Sequence, residues 1–111
     1  MKWITAYVRP HRLDDIRQAL AMIGISGLTV IETLGMGSTA WVERYRSMEI
    51  TRNAEPYCTI ELMVADDLAD QVVEAICNLA RTGKVGDGKI LVRELADITR
   101  IRTQETGEPA L

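Results

Sequence analysis

The stretch Thr82–Ile90, "TGKVGDGKI", gathers three glycines, two lysines and an aspartate into one short run. Gly83, Gly86 and Gly88 free the backbone to turn its N–H groups toward one point as a nest for an anion. Lys89 adds a full positive charge at the same place. The run is not a Walker loop, because "GKVGDGK" lacks both the four-residue spacing and the Ser or Thr after the lysine. A tight helix-to-strand turn would use the same glycines. What shifts the balance is "RIRT" at 100–103: alternate arginines in an extended segment, Arg100 and Arg102, point to one side and grip phosphates bidentately. Gly35 and Gly37 add two further flexible points. Phosphate binding is the expectation, with Gly86, Asp87, Gly88 and Lys89 at its centre.

Other reactive side chains do not assemble into a site. His11 is the one histidine of the chain. It has no second histidine for a metal and no Ser or Cys neighbour for a triad, so a structural or solvent role is expected. Cys58 and Cys77 lie far apart without a CxxC pattern and are read as buried thiols in a reducing cytosol. No catalytic residue and no metal ligand is assigned. A net charge of −3 argues against a sequence-independent nucleic-acid binder, which needs a broad basic face. "MKWITAYV" lacks the features of a signal peptide, and no apolar run approaches the roughly 20 residues of a membrane span. A cytoplasmic protein without direct membrane insertion is expected.

A single domain of 111 residues must position these groups. "WITAYV" alternates Trp3, Thr5, Tyr7 against Ile4, Ala6, Val8, the period of a strand. In "LDDIRQALAMIG", Ile16, Ala19, Leu20 and Ile23 recur at helical spacing behind Asp14 and Asp15, and Gly24 supplies the stop. "LTVIETLG" returns to strand composition. The order then repeats: "CTIELMV" alternates, Asp66 and Asp67 open a helix carrying Ala69, Val72, Val73, Ile76 and Leu79, and "KILVREL" is a fourth strand. Two such units predict an α+β, ferredoxin-like βαββαβ sandwich, with a four-stranded antiparallel sheet and both helices on one face. Trp3, Tyr7 and Met63 leave the other face apolar, so self-association is expected. The connection from Gly35 to Pro56 is unusually long and is read as a mobile arm reaching into a partner; a hairpin packed on a neighbouring subunit is the alternative. Residues 104–111 are expected as a mobile polar tail.

"TGKVGDGKI" followed by "TRIRTQETGE", together with "RPHRLDDIRQAL" and "GISGLTVIE", resembles the PII nitrogen-regulatory signal proteins over nearly the whole chain. The resemblance implies a compact homotrimer that binds ATP or ADP, with AMP a third candidate, in clefts between neighbouring subunits. It also implies an extended T-loop, at about 37–55, through which a membrane transporter or metabolic enzyme is regulated. Carried over by position, Gly86, Asp87, Gly88 and Lys89 hold the phosphates, Gly35 and Gly37 close beneath them, and Arg100 and Arg102 complete the clamp. Thr29, Glu61 and Met63 match positions lining the adenine and ribose, although Thr29 and Glu61 also suit ordinary strand roles. Trp41, Arg44 and Arg46 are the expected partner contacts.

The departures are specific. "YRSMEI" puts Ile50 where the family's modifiable tyrosine stands, which rules out nucleotidylylation there. Ser38 and Thr39 stand where typical members have a glutamine for magnesium and 2-oxoglutarate. Tyr57 takes the place of a lysine that meets the ligand's carboxylate. These changes weigh against 2-oxoglutarate and leave magnesium open, while the donors for adenine nucleotide lie elsewhere. A divergent, PII-like regulator that is not an enzyme is the expectation. The alternatives are a trimeric metal-binding protein of related architecture and a slow ATP hydrolase.

Overall fold

The computed structural model describes residues 1–36 and 54–111. Six elements follow one another as β1 (Lys2–Val8), α1 (Leu13–Met22), β2 (Thr29–Gly35), β3 (Glu55–Val64), α2 (Asp66–Ala80) and β4 (Lys89–Glu94). Short 3-10 turns at Pro10–Arg12 and Glu108–Ala110 complete the chain. The four strands form one sheet in the order β2-β3-β1-β4, each neighbouring pair antiparallel. This is the ferredoxin-like α+β arrangement that the repeated alternation predicts.

Strand parity sorts the side chains into two layers. Ile4, Ala6 and Val8 of β1 and Cys58, Ile60, Leu62 and Val64 of β3 point to the helices and are buried. Ile16 and Leu20 of α1, one turn apart, close over them. Ala69, Val72, Ile76 and Ala80 of α2 do the same, while Val73 and Leu79 pack at the margin of this core. Both helices carry aspartates in the first turn, Asp14 and Asp15 or Asp66 and Asp67, where the helix dipole favours negative charge.

The opposite sheet face is left to solvent. Tyr7, Ile31, Met63 and Leu91 there are between 39% and 46% exposed. Trp3 is partly covered, because the Arg93 guanidinium lies 3.7 Å over its ring and also donates to the Thr5 hydroxyl. That cover explains why Thr5, a polar residue on the open face, is buried.

Three expectations change. Cys58 is buried but Cys77 is exposed, since it follows Ile76 around the helix and turns off the core stripe. Glu55 and Pro56 belong to β3 and pair with Gly35 and Leu34, so the sheet reaches further into the long connection than its alternation suggests. Residues 104–111, expected as a mobile tail, have defined contacts: Thr106 bridges to Thr99 and Ala110 is buried. Residues 37–53, most of the stretch expected as a T-loop at about 37–55, with Gly37, Trp41, Arg44 and Arg46, lie outside the described residues. No helix among the described residues is long and apolar enough to cross a membrane.

Truncating Ile60, wholly buried between the sheet and the helices, should lower stability by about 2–5 kcal/mol. Truncating the fully exposed Val85 should leave it within about 0.5 kcal/mol. Urea denaturation of Ile60→Ala and Val85→Ala checks both.

Candidate functional site

The glycine-rich run begins where α2 ends. Asp87 gathers it into a compact buckle: its carboxylate accepts from the Thr82 N–H at 2.8 Å, the Gly83 N–H at 2.9 Å and the Thr82 hydroxyl. The Thr82 hydroxyl, Thr82 and Gly83 amides, and a smaller attraction to Arg9, hold the Asp87 carboxyl below the usual carboxylate range. Its carboxylate therefore shapes the loop by accepting from Thr82 and Gly83. Gly88 shows why this position requires glycine. Its φ is +99°, and a Cβ there would overlap the carbonyl oxygen of Tyr7 in β1. The loop is thus pressed against β1, and Lys89, the next residue, pairs with Tyr7 and emerges exposed on the open face.

Tyr57 binds this loop to the sheet. Its hydroxyl donates to the Gly86 carbonyl at 2.9 Å. The Arg9 guanidinium lies 5.2 Å from the centre of the same ring and pairs with the Glu55 carboxylate at 2.9 Å. Tyr7, Gly35, Glu55, Tyr57, Gly86, Asp87, Gly88 and Lys89 line a cleft of about 800 Å³, within the range of small-molecule sites. Gly35 reaches it as the last residue of β2.

A second cleft of about 670 Å³ lies at the other end of β2 and includes Thr29, Glu61, Met63, Arg100, Ala110 and Leu111. Thr29 and Glu61 are direct cross-strand partners, with Met63 two residues further along β3. Arg100 donates to the Leu111 carbonyl at 2.9 Å and pairs with Glu105 at 3.3 Å. The segment bearing Arg100 and Arg102 is not extended. Its Arg100 N–H bonds to Glu105, Gln104 bonds back to Arg100, and Gln104 takes a left-handed φ of 60°. This closed turn breaks the alternation that would aim both arginines one way. Arg100 faces the second cleft, and Arg102 is exposed outside both clefts.

Lys89 and Arg100 thus line different clefts of one chain. Thr29 and Gly35 stand at the two ends of β2, separated by ~20 Å at ~3.3 Å per strand residue. Sequence reasoning missed Arg9 and Glu55 and saw Tyr57 only as a departure. One signal was available for Arg9: the following Pro10 favours extended backbone, so the 3-5-7 alternation runs on to residue 9. Among the described residues, no three His, Cys, Asp or Glu side chains gather as a metal site.

The chain is thus a small ferredoxin-like α+β protein with a glycine–lysine loop at one end of its sheet and an arginine-bearing turn at the other. The family model for "Nitrogen regulatory protein P-II" matches residues 1–105. The chain is 46% identical to "Nitrogen regulatory protein GlnK" of Escherichia coli strain K12, with the whole of both chains covered. It is 45% identical, again over the whole of both chains, to "Nitrogen regulatory protein P-II" of Klebsiella oxytoca and to "Nitrogen regulatory protein P-II 1" of Escherichia coli strain K12. The chain belongs to the P-II family of nitrogen regulatory signal-transduction proteins.

The Asp87 buckle predicts a pH dependence. A carboxyl whose folded pKa is lowered stabilises the fold fully above its unfolded value, near ~4, and loses that contribution as pH falls through the folded value. Hydrogen exchange at the Thr82 and Gly83 amides should therefore accelerate, beyond its intrinsic pH dependence, only in acid. In Asp87→Asn it should be faster at neutral pH and lack that acid step.

Proposed function

We propose that this chain is a cytoplasmic regulator of nitrogen utilisation that binds ATP or ADP, with AMP a third candidate, between the subunits of a homotrimer. The observation that carries this is the division of one nucleotide's requirements between two ends of the same sheet. The phosphate-binding half is Gly35, Gly86, Gly88 and Lys89, with the buckle shaped by Asp87. The adenine and ribose half is Thr29, Glu61 and Met63, with Arg100 beside them and Arg102 nearby in sequence. A second copy laid against the open face brings its second cleft to the first chain's loop, so both halves meet across the boundary. The apolar residues Tyr7, Ile31, Met63 and Leu91 supply the surface that such an assembly buries.

Polyphosphate is the anion that suits this site. The loop offers backbone donors and one lysine, a neighbour adds arginines, and charge-assisted bonds from such groups are the strong ones. Binding acts as a signal only if nucleotide favours one state of the protein over another. The T-loop, bearing Gly37, Trp41, Arg44 and Arg46, then presents that state to a transporter or metabolic enzyme. Signalling of this kind needs no catalysis, and we assign none. Tyr57, whose hydroxyl is engaged by the Gly86 carbonyl, supports a response that does not depend on 2-oxoglutarate.

Isothermal titration of the wild type and Lys89→Ala with ATP, ADP and AMP tests the proposal. Losing a charged hydrogen-bonding partner removes about 1.5–3 kcal/mol, or roughly ten- to a hundredfold in affinity for ATP. Sedimentation should report the same trimer for both proteins. Unchanged ATP affinity in Lys89→Ala removes Lys89 from the site, and a monomeric wild type removes the shared cleft.

A further inference from the structure

We infer that Asp97 is a positioning residue for the nucleotide site: its carboxylate closes the C-terminal hairpin that carries Arg100 into the second cleft. The inference rests on the nucleotide reading of that cleft and adds to it a residue that does not line it. Asp97 is exposed and lies just past the end of β4, outside the buried core.

From Asp97 to Gly107 the chain folds back on itself. Thr99 bridges to Thr106, the Arg100 N–H donates to the Glu105 carbonyl at 2.9 Å, and the Gly107 N–H donates to the Ile98 carbonyl at 3.0 Å. A pairing this short is marginal by itself. Asp97 reinforces its open end. One carboxylate oxygen, Oδ1, accepts from the Ile98 N–H at 2.8 Å and from the Gly107 N–H at 3.0 Å, and so joins the two arms. Gly107 has φ 69° and ψ −154°, a conformation left almost entirely to glycine. It turns the chain into the final 3-10 turn, where Ala110 is buried and the Leu111 carbonyl accepts from Arg100 at 2.9 Å.

Arg100 is therefore held from both arms. Backbone pairing fixes its main chain, and the Glu105 carboxylate and the Leu111 carbonyl fix its guanidinium. Ile98 and Arg100, two residues apart on the first arm, both line the second cleft, and Ala110 and Leu111 of the second arm join them there. Asp97 ties the junction that all of these share. With that junction loose, Arg100 must be ordered as nucleotide binds, at a cost in conformational entropy that lowers affinity. The negative charge of Asp97 by itself opposes a polyphosphate, so its benefit lies in the two bonds it accepts.

ATP titration of the wild type, Asp97→Ala, Asp97→Asn, Arg100→Gln and the double variant Asp97→Ala/Arg100→Gln tests this as a cycle. Asp97→Ala should bind ATP about three- to tenfold more weakly, in keeping with the net worth of a hydrogen bond or two. Asp97→Asn keeps the accepting oxygen and should recover most of that loss. In the Arg100→Gln background, Asp97→Ala should add nothing. Gly107→Ala breaks the same junction from the second arm and should weaken binding to a like extent. Without ATP, exchange of the Gly107 amide should quicken in Asp97→Ala, while urea denaturation shows the core retained. Wild-type affinity in Asp97→Ala or in Gly107→Ala overturns the inference. A loss that persists without Arg100, or that Asp97→Asn fails to recover, overturns it too. In each of these cases the wild type still binds ATP and the site stands. A wild type that does not bind ATP overturns the site and the inference with it.

Discussion

Six residue steps along a hydrogen-bonded strand separate Thr29 from Gly35, and that rigid distance governs how this sheet can be used. A strand bonded along its length to its neighbour, as this edge strand is to β3, cannot fold back on itself without breaking those bonds. The glycine-rich loop and the arginine-bearing turn are therefore kept apart within a chain, each beside an open cleft. In the proposed function, a sheet of this kind serves as a spacer with half of the nucleotide site at each end. Between those ends the open face carries Tyr7, Ile31, Met63 and Leu91, apolar side chains that suit burial against another subunit better than contact with water.

The loop end is assembled by contacts that each limit the next. Gly88 lets the chain run against the Tyr7 carbonyl, Asp87 ties the preceding residues into a buckle, and Tyr57 holds the loop by the Gly86 carbonyl. Backbone N–H groups become a useful anion nest only when they are held in place beforehand, because ordering them at the moment of binding costs conformational entropy. Arg9 and Glu55 introduce opposite charges into this prepared surface.

Much of this architecture was legible in the residues. Alternation in "WITAYV" and "CTIELMV" and the helical stripe through Val72 and Ile76 correctly separate the buried layer from the open one. Glycine spacing and the lysine in "TGKVGDGKI" point to the loop, and paired aspartates mark both helix starts. Misreadings arose where a local pattern had a non-local competitor. "RIRT" looks extended by alternation, yet bonds to Glu105 and from Gln104 close it into a turn. Cys77 resembles Cys58 in composition, but one step around a helix carries it off the buried stripe.

Periodicity and turn chemistry belong to neighbours in the chain, so the sequence by itself determined the six elements, their order and the composition of the loop. The company that each side chain keeps is another matter. Arg9, Glu55, Tyr57 and Gly86 come from three widely spaced parts of the chain, and only strand register and packing bring them together. Register and the packing of the C-terminal turn together set Lys89 and Arg100 in different clefts. Those pairings depend on distances across the fold, which no local spacing encodes.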